Sequence, residues 1–428
     1  MNKKTRTSVP VARPADSNRR RFLTRSALVG ASVIGGTLAA TTSQAQPSAG
    51  ALPKWTTTPG LPLSHGNYGT PSPFEKEVIR RGRVDYVMPG SGSVMSPLGN
   101  LRGTITPNGL HFERSHAGVP EIDPAHHRLV VHGLVRQPLT FTMDDITRFP
   151  SVSRIYFMEC SGNTSRGWGP PYPPTVQLSH GLLSCAEWTG VMLSTVLEEA
   201  GLMRDAKWIL AEGADASALT RSVPIAKCLE DTMVVYAQNG EMLRPENGYP
   251  LRLFVPGWEG NMSVKWLRRI KVGAEPYMTR WETSKYTESM PDGTARQFTF
   301  AMDAKSVITH PAPENALRSR GFVEISGIAW SGNGRIKRVD VSTDGGKSWR
   351  TAELQEPVLY RALTRFRLPW TWNGEAAVIQ SRAMDETGYV QPTAAQLVAA
   401  RGTANQYHFN GIQSWQIAAN GQVTNVRA

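Results

Sequence analysis

Four apolar runs toward the C-terminus limit the fold more than any other feature of the chain. Phe322–Trp330, Arg338–Thr343, Val358–Leu368 and Ala376–Met384 are short and separated by Gly, Asn and Asp. Regularly spaced runs of this kind, with Asp344-Gly345-Gly346 as a tight hairpin, predict an immunoglobulin-like antiparallel β-sandwich over residues 296–428.

Upstream the pattern is mixed. Leu129–Val135 reads as a strand, Thr142–Ile146 opens a short helix with an acidic first turn, and Val191–Ala200 has helical spacing stopped by Gly201. Trp208–Leu210, Thr232–Ala237 and Tyr249–Val255 read as short buried strands, so residues 101–290 are expected to form an α+β domain. The 39 Gly and 30 Pro among 428 residues favour turn-rich β structure over a helix bundle, and the length excludes a single-module binder. Residues 46–100, rich in Pro, Gly and Ser, are expected to wrap over a domain with little regular structure.

Residues 1–45 read as an export address: Arg19-Arg20-Arg21-Phe22-Leu23, a small-residue run from Ser26 to Ala40, then Ser43-Gln44-Ala45. This order matches a twin-arginine signal peptide, which carries folded, often cofactor-loaded proteins to the periplasm. The weakly apolar run is too short for a membrane span. Much of the formal charge of +12 sits in this leader; without it the balance falls to +5 with no long basic run. That argues against nucleic acid and for an anionic substrate or acidic partner.

Cys160, Cys185 and Cys228 are the whole cysteine complement, an odd number that leaves disulfides no framework role. The chain has no Cys-x-x-Cys-His, which excludes a covalently held c-type haem. Tyr156-Phe157-Met158-Glu159-Cys160-Ser161-Gly162-Asn163 carries one cysteine from an apolar strand into a polar turn. A thiolate there suits a soft or high-valent transition metal and needs nearby positive charge to stay ionised.

With Phe112-Glu113-Arg114-Ser115-His116, Glu212-Gly213-Ala214-Asp215, Asn247-Gly248-Tyr249-Pro250-Leu251-Arg252, Ser263-Val264-Lys265-Trp266 and Val341–Trp349, this stretch resembles the sulfite oxidase family of molybdenum-pterin enzymes. The motifs occur in the family's order over residues 85–428. The resemblance implies a molybdenum-molybdopterin cofactor with Cys160 as the protein ligand of the metal. It implies that Phe112, Arg114, His116, Asp215, Asn247, Arg252, Ser263, Val264 and Lys265 hold that cofactor, and that Arg114 and Tyr236 face the substrate. Cations at Arg252 and Lys265 suit a phosphate, and Asp215, His116 and Asn247 suit the edges of a pterin.

The departures matter as much. Where animal and plant sulfite oxidases have Cys-Ala-Gly-Asn-Arg-Arg, this chain has Cys160-Ser161-Gly162-Asn163-Thr164-Ser165-Arg166, so a substrate arginine is lost or displaced. A pocket tryptophan is replaced near Leu178. Fewer guanidinium groups imply a wider pocket less committed to free sulfite. The closing segment Gly402–Trp415 looks most like the molybdenum subunits of bacterial sulfane dehydrogenases within that family. That likeness implies oxidation of a sulfane sulfur on a carrier protein, with oxygen from water and electrons passed to a cytochrome c subunit. It also implies a homodimer, through the sandwich, within a heterotetramer. Sulfite dehydrogenation is the alternative reading.

Overall fold

The computed structural model describes residues 71–84 and 90–427. The leader and much of the proline-rich wrap lie outside the described residues. Where that wrap is described it is more regular than its composition implies. Arg81–Val84 pairs antiparallel with Gly92–Met95, which pairs in turn with Glu113–Ser115.

Two five-stranded sheets carry the first half. In one, Ser151–Glu159 lies beside Leu183–Met192, followed by Met233–Gln238, which pairs with Glu241–Met242 and Arg252–Phe254. In the other, Leu139–Phe141, Leu129–Gly133, Leu267–Gly273, Trp208–Gly213 and Thr220–Pro224 lie in that order. Only Leu129–Gly133 and Leu267–Gly273 run parallel there.

The helices obey local chemistry. Met143–Arg148 starts at a capping box in which Thr142 Oγ1 accepts the Asp145 N–H and Asp145 accepts the Thr142 N–H. Leu193–Ala200 buries Leu193, Val196, Leu197 and Ala200, one face of a helix, and stops at Gly201 with φ +70°. Each buried leucine or valine contributes about 1.5–3 kcal/mol by leaving water. Val191 and Met192, expected in this helix, end the preceding strand instead.

The second half is the expected antiparallel sandwich. Its sheets are Lys305–His310, Gly321–Trp330, Thr364–Trp372 and Glu353–Leu354, against Arg350–Thr351, Ile336–Ser342, Ala377–Asp385, Ser414–Ile417 and Val423–Val426. Two details differ from the sequence expectation. Residues 358–363 are not strand, and the strand expected at Val358–Leu368 begins at Thr364. Asp344-Gly345-Gly346 lies in a loop of residues 343–349, where the Asp344 carboxylate accepts from Ser342 Oγ, Ser348 N and Ser348 Oγ.

The described residues form one compact unit, and one apolar cluster joins its two halves. Leu98, Phe157, Leu183 and Cys185 pack with Ile325, Trp330, Phe366 and Trp415. Among the described residues no helix is long and apolar enough to cross a membrane.

Candidate active site

Strand Ser151–Glu159 ends at Cys160, and the chain turns through Ser161-Gly162-Asn163 at the wall of a cavity. The turn can press close to its neighbour because residue 260 is glycine: a Cβ there would lie 2.8 Å from the Glu159 carbonyl oxygen. Cys160 is half-buried, and burial pushes its thiol above the ordinary value, opposed by the Gly162 N–H and then Arg114. By itself it stays protonated at neutral pH; a metal would have to hold it as thiolate. Among the described residues no group of three or more His, Cys, Asp or Glu could hold a metal ion.

Most residues assigned from sequence do meet at this cavity. Phe112, Arg114, His116, Cys160, Asp215, Asn247, Arg252, Ser263 and Lys265 all line it. Strand Glu113–Ser115 places Arg114, whose guanidinium donates to the Gly92 carbonyl at 3.1 Å. Arg252 is buried under the floor, donating to the Asn247 carbonyl at 2.8 Å and the Ser263 carbonyl at 2.9 Å, with Trp188 5.4 Å away. Burial pulls its guanidinium down to about 9. Lys265 Nζ donates to the Glu246 carbonyl at 2.9 Å and to Ser115 Oγ at 3.2 Å; burial, then Arg252, pull it down to about 7. A buried guanidinium and a half-buried ammonium lining one cavity suit an anionic group there.

One assignment fails. Tyr236 does not line the cavity; it packs on the apolar cluster of the mixed sheet. The phenol beside Cys160 belongs to Tyr286, which is buried, with φ +54°, and whose hydroxyl lies 2.9 Å from His116 Nε2. Burial and the Cys160 sulfur push the Tyr286 phenol above its ordinary value, and burial pulls His116 down to about 3. Val264 buries its side chain in the core; its assignment is as a backbone amide between Ser263 and Lys265, which both line the cavity. Arg166 is exposed and lies outside the cavity, and Leu178 is likewise exposed and outside it.

Further residues on the cavity wall, among them His111, Leu219, Glu246, Asn261 and Trp266, were not assigned to the site from the sequence. His111 adjoins Phe112, with ring centroids 5.2 Å apart. The closing segment Gly402–Trp415 returns to the Cys160 turn. His408 N donates to the Ser161 carbonyl at 2.9 Å, Trp168 Nε1 to the Tyr407 carbonyl at 2.9 Å, and the Tyr407 and Tyr286 rings lie 5.2 Å apart.

Among the described residues, five polar atoms around the cavity are buried without a partner: His111 Nε2, Asp215 Oδ1, Asn247 Nδ2, Arg252 Nε and Asn261 Oδ1. Orphaned buried atoms cost about 1–3 kcal/mol each, so a cluster of donors and acceptors at one cavity calls for a polar ligand. A pterin edge takes donors and acceptors, a phosphate takes cations, and a metal takes a thiolate. The residues present fit a molybdenum-pterin cofactor.

Comparison with known proteins agrees. The oxidoreductase molybdopterin binding domain matches residues 116–281 and the Mo-co oxidoreductase dimerisation domain residues 296–414. Mitochondrial sulfite oxidase of Mus musculus is 33% identical over 334 residues, 72% of this chain and 61% of that protein. Nitrate reductase of Hordeum vulgare is 32% identical over 63% of this chain and 33% of its own. This chain thus spans about three-fifths of the sulfite oxidases it matches. The crystal structure of the sulfane dehydrogenase SoxCD from Paracoccus pantotrophus superposes with a TM-score of 0.86 at 48% identity, over 88% of this chain and 97% of that one. A cavity fitted to this cofactor, in a fold shared with that relative along nearly its whole length, places the chain in the sulfite oxidase family of molybdopterin oxidoreductases.

Proposed function

We propose that this chain oxidises a sulfane sulfur held as a cysteine adduct on a carrier protein, with oxygen from water and electrons passed to a separate cytochrome c subunit. The observation that carries the reading is the sparse cationic lining near Cys160. Arg114 lines the cavity there, while Arg166, just beyond the cysteine turn, stays exposed outside it. A small dianion such as sulfite would favour two guanidinium groups; a persulfide on a peptide arm needs fewer and more room. The 48% identity to a sulfane dehydrogenase supports the same reading.

When bound, a molybdenum-pterin group supplies two-electron oxygen transfer to sulfur. Cys160 would hold its metal, Arg252 and Lys265 its phosphate, and Asp215, Asn247 and His111 the ring edges. Tyr286 keeps its proton, because burial and the Cys160 sulfur disfavour the phenolate, so its hydroxyl acts as a hydrogen-bonding group. Neutral His116 orients that hydroxyl. Arg114 lends positive charge to an anionic sulfur, and Phe112 and Tyr286 narrow the access of water.

We also read residues 1–45 as a twin-arginine signal that sends the chain to the periplasm, and residues 296–428 as the surface on which two copies pair within a heterotetramer. The match to a dimerisation domain supports the pairing.

A second reading, sulfite dehydrogenation, is favoured by Arg114 and by the likeness to sulfite oxidases. Steady-state kinetics of the purified chain with cytochrome c separates the two. Sulfane-loaded carrier should exceed free sulfite in kcat/KM by about a hundredfold, near 2.7 kcal/mol. The reverse order would establish sulfite as the substrate.

A further inference from the structure

Lys305 opens one strand of the sandwich and Trp330 closes the next, and in their antiparallel register the two stand directly opposite each other. Both side chains converge on the carboxylate of Glu159. Lys305 Nζ lies 2.6 Å from Oε1 and Trp330 Nε1 donates to Oε2 at 2.7 Å. Asn163 Nδ2 also donates to Oε1, at 2.9 Å, while its Oδ1 accepts the Leu182 N–H at 3.1 Å. Lys305 donates as well to Thr164 Oγ1 at 3.3 Å. Glu159 and Trp330 are fully buried, and Lys305 nearly so.

Glu159 precedes Cys160, and Asn163 and Thr164 come after it. The clamp therefore grips both ends of the turn that carries the thiol. A buried ion pair is a poor stability device, since removing two charges from water offsets their attraction and a well-packed apolar pair serves as well. Such a pair does supply direction: each carboxylate oxygen is held by a different strand of the sandwich.

We propose that Lys305 and Trp330 are positioning residues for Cys160, so that the sandwich sets where the sulfur stands in the cavity. The inference rests on Cys160 as the protein ligand of the metal.

Trp330→Phe removes one donor from Glu159 and leaves the ion pair. Lys305→Met leaves a buried carboxylate unpaired and is the less stable of the two, so Trp330→Phe carries the test even where Lys305→Met fails to accumulate. Both are compared with Cys160→Ser in the loaded enzyme by molybdenum per chain, the thiolate-to-metal absorption band, kcat and KM. Trp330→Phe should keep molybdenum and leave KM within about twofold, while shifting the band and lowering kcat about three- to tenfold. An unshifted band and unchanged kcat per molybdenum, even with a lowered melting temperature, would make the clamp a purely structural contact and overturn the proposal. Cys160→Ser should abolish the band; its survival would remove the ligand assignment itself, whatever Trp330→Phe does.

Discussion

Two buried polar regions lie on either side of the Cys160 turn, and they are finished differently. Behind it, both oxygens of Glu159 are taken up by Lys305, Trp330 and Asn163. In front of it, His111, Asp215, Asn247 and Arg252 each keep a buried atom with no partner. Both regions are costly to bury, so the contrast separates polar groups arranged for the protein from those arranged for something it binds. A fully satisfied network is architecture; an unsatisfied one at a cavity is a template for a ligand.

Between the two regions stands the thiol, and its removal is the largest change expected. Cys160→Ser should lower turnover about a thousandfold or more, because a hydroxyl is a harder and far less acidic ligand, while pterin is retained through contacts elsewhere. Turnover and pterin content of the purified variant check it, and near-normal activity would dismiss Cys160 as the ligand.

Next come the two sides compared directly in cofactor-free protein. Lys305→Met should lower unfolding stability by about 3–5 kcal/mol, because it strands a buried carboxylate. Arg252→Met should change stability far less yet weaken pterin binding about a hundredfold, since its guanidinium is only partly satisfied by the protein. Denaturant melts and pterin titration give both numbers. Equal destabilisation would erase the distinction between clamp and template.

Much of this is legible in the sequence. The Glu159–Asn163 turn, Asn247–Arg252 and Ser263–Lys265 are short polar motifs bordering apolar strands, and all three reach the cavity because strand ends converge there. The tyrosine misleads. Tyr236 sits in an apolar strand at a bulge in its pairing with Leu183–Met192, where alternation cannot say which way a side chain faces, and it packs on the core. Tyr286 has no periodic neighbours and a left-handed backbone, so no pattern marks it; only the tertiary fold brings it to His116. The clamp is equally hidden, because Lys305 and Trp330 pair across a sheet 146 and 171 residues from Glu159. Within the sandwich, strands are readable from apolar runs, but the glycines at 345 and 346 mark a longer loop than a two-residue hairpin.

The exchange of one tyrosine for the other has its own consequence. Tyr286→Phe should slow turnover about thirtyfold, near 2 kcal/mol, with cofactor content unchanged, and Tyr236→Phe should stay within about twofold of the parent. The opposite ranking would return the pocket phenol to residue 236.

The smallest effect concerns pH. Burial, then Arg252, lower Lys265 to about 7, so in the empty site it carries a proton below that pH and loses it above. An anion binds the protonated form, and above pH 7 binding must bring the proton back. Affinity of the cofactor-free chain for sulfate, whose charge is constant here, should therefore fall about tenfold per unit above pH 7 and level off below it. Calorimetric titration reads the slope, and Lys265→Met should flatten it; a slope that persists in that variant would place the titrating group elsewhere.

The most direct test of the cavity as a cofactor template is metal and pterin analysis of the purified chain from cells that make the cofactor. About one molybdenum and one pterin per chain are expected, and replacing Asp215, Asn247 or Arg252 should lower both in equal proportion, because metal and pterin enter as one group. A folded, sulfur-oxidising chain carrying neither would contradict it.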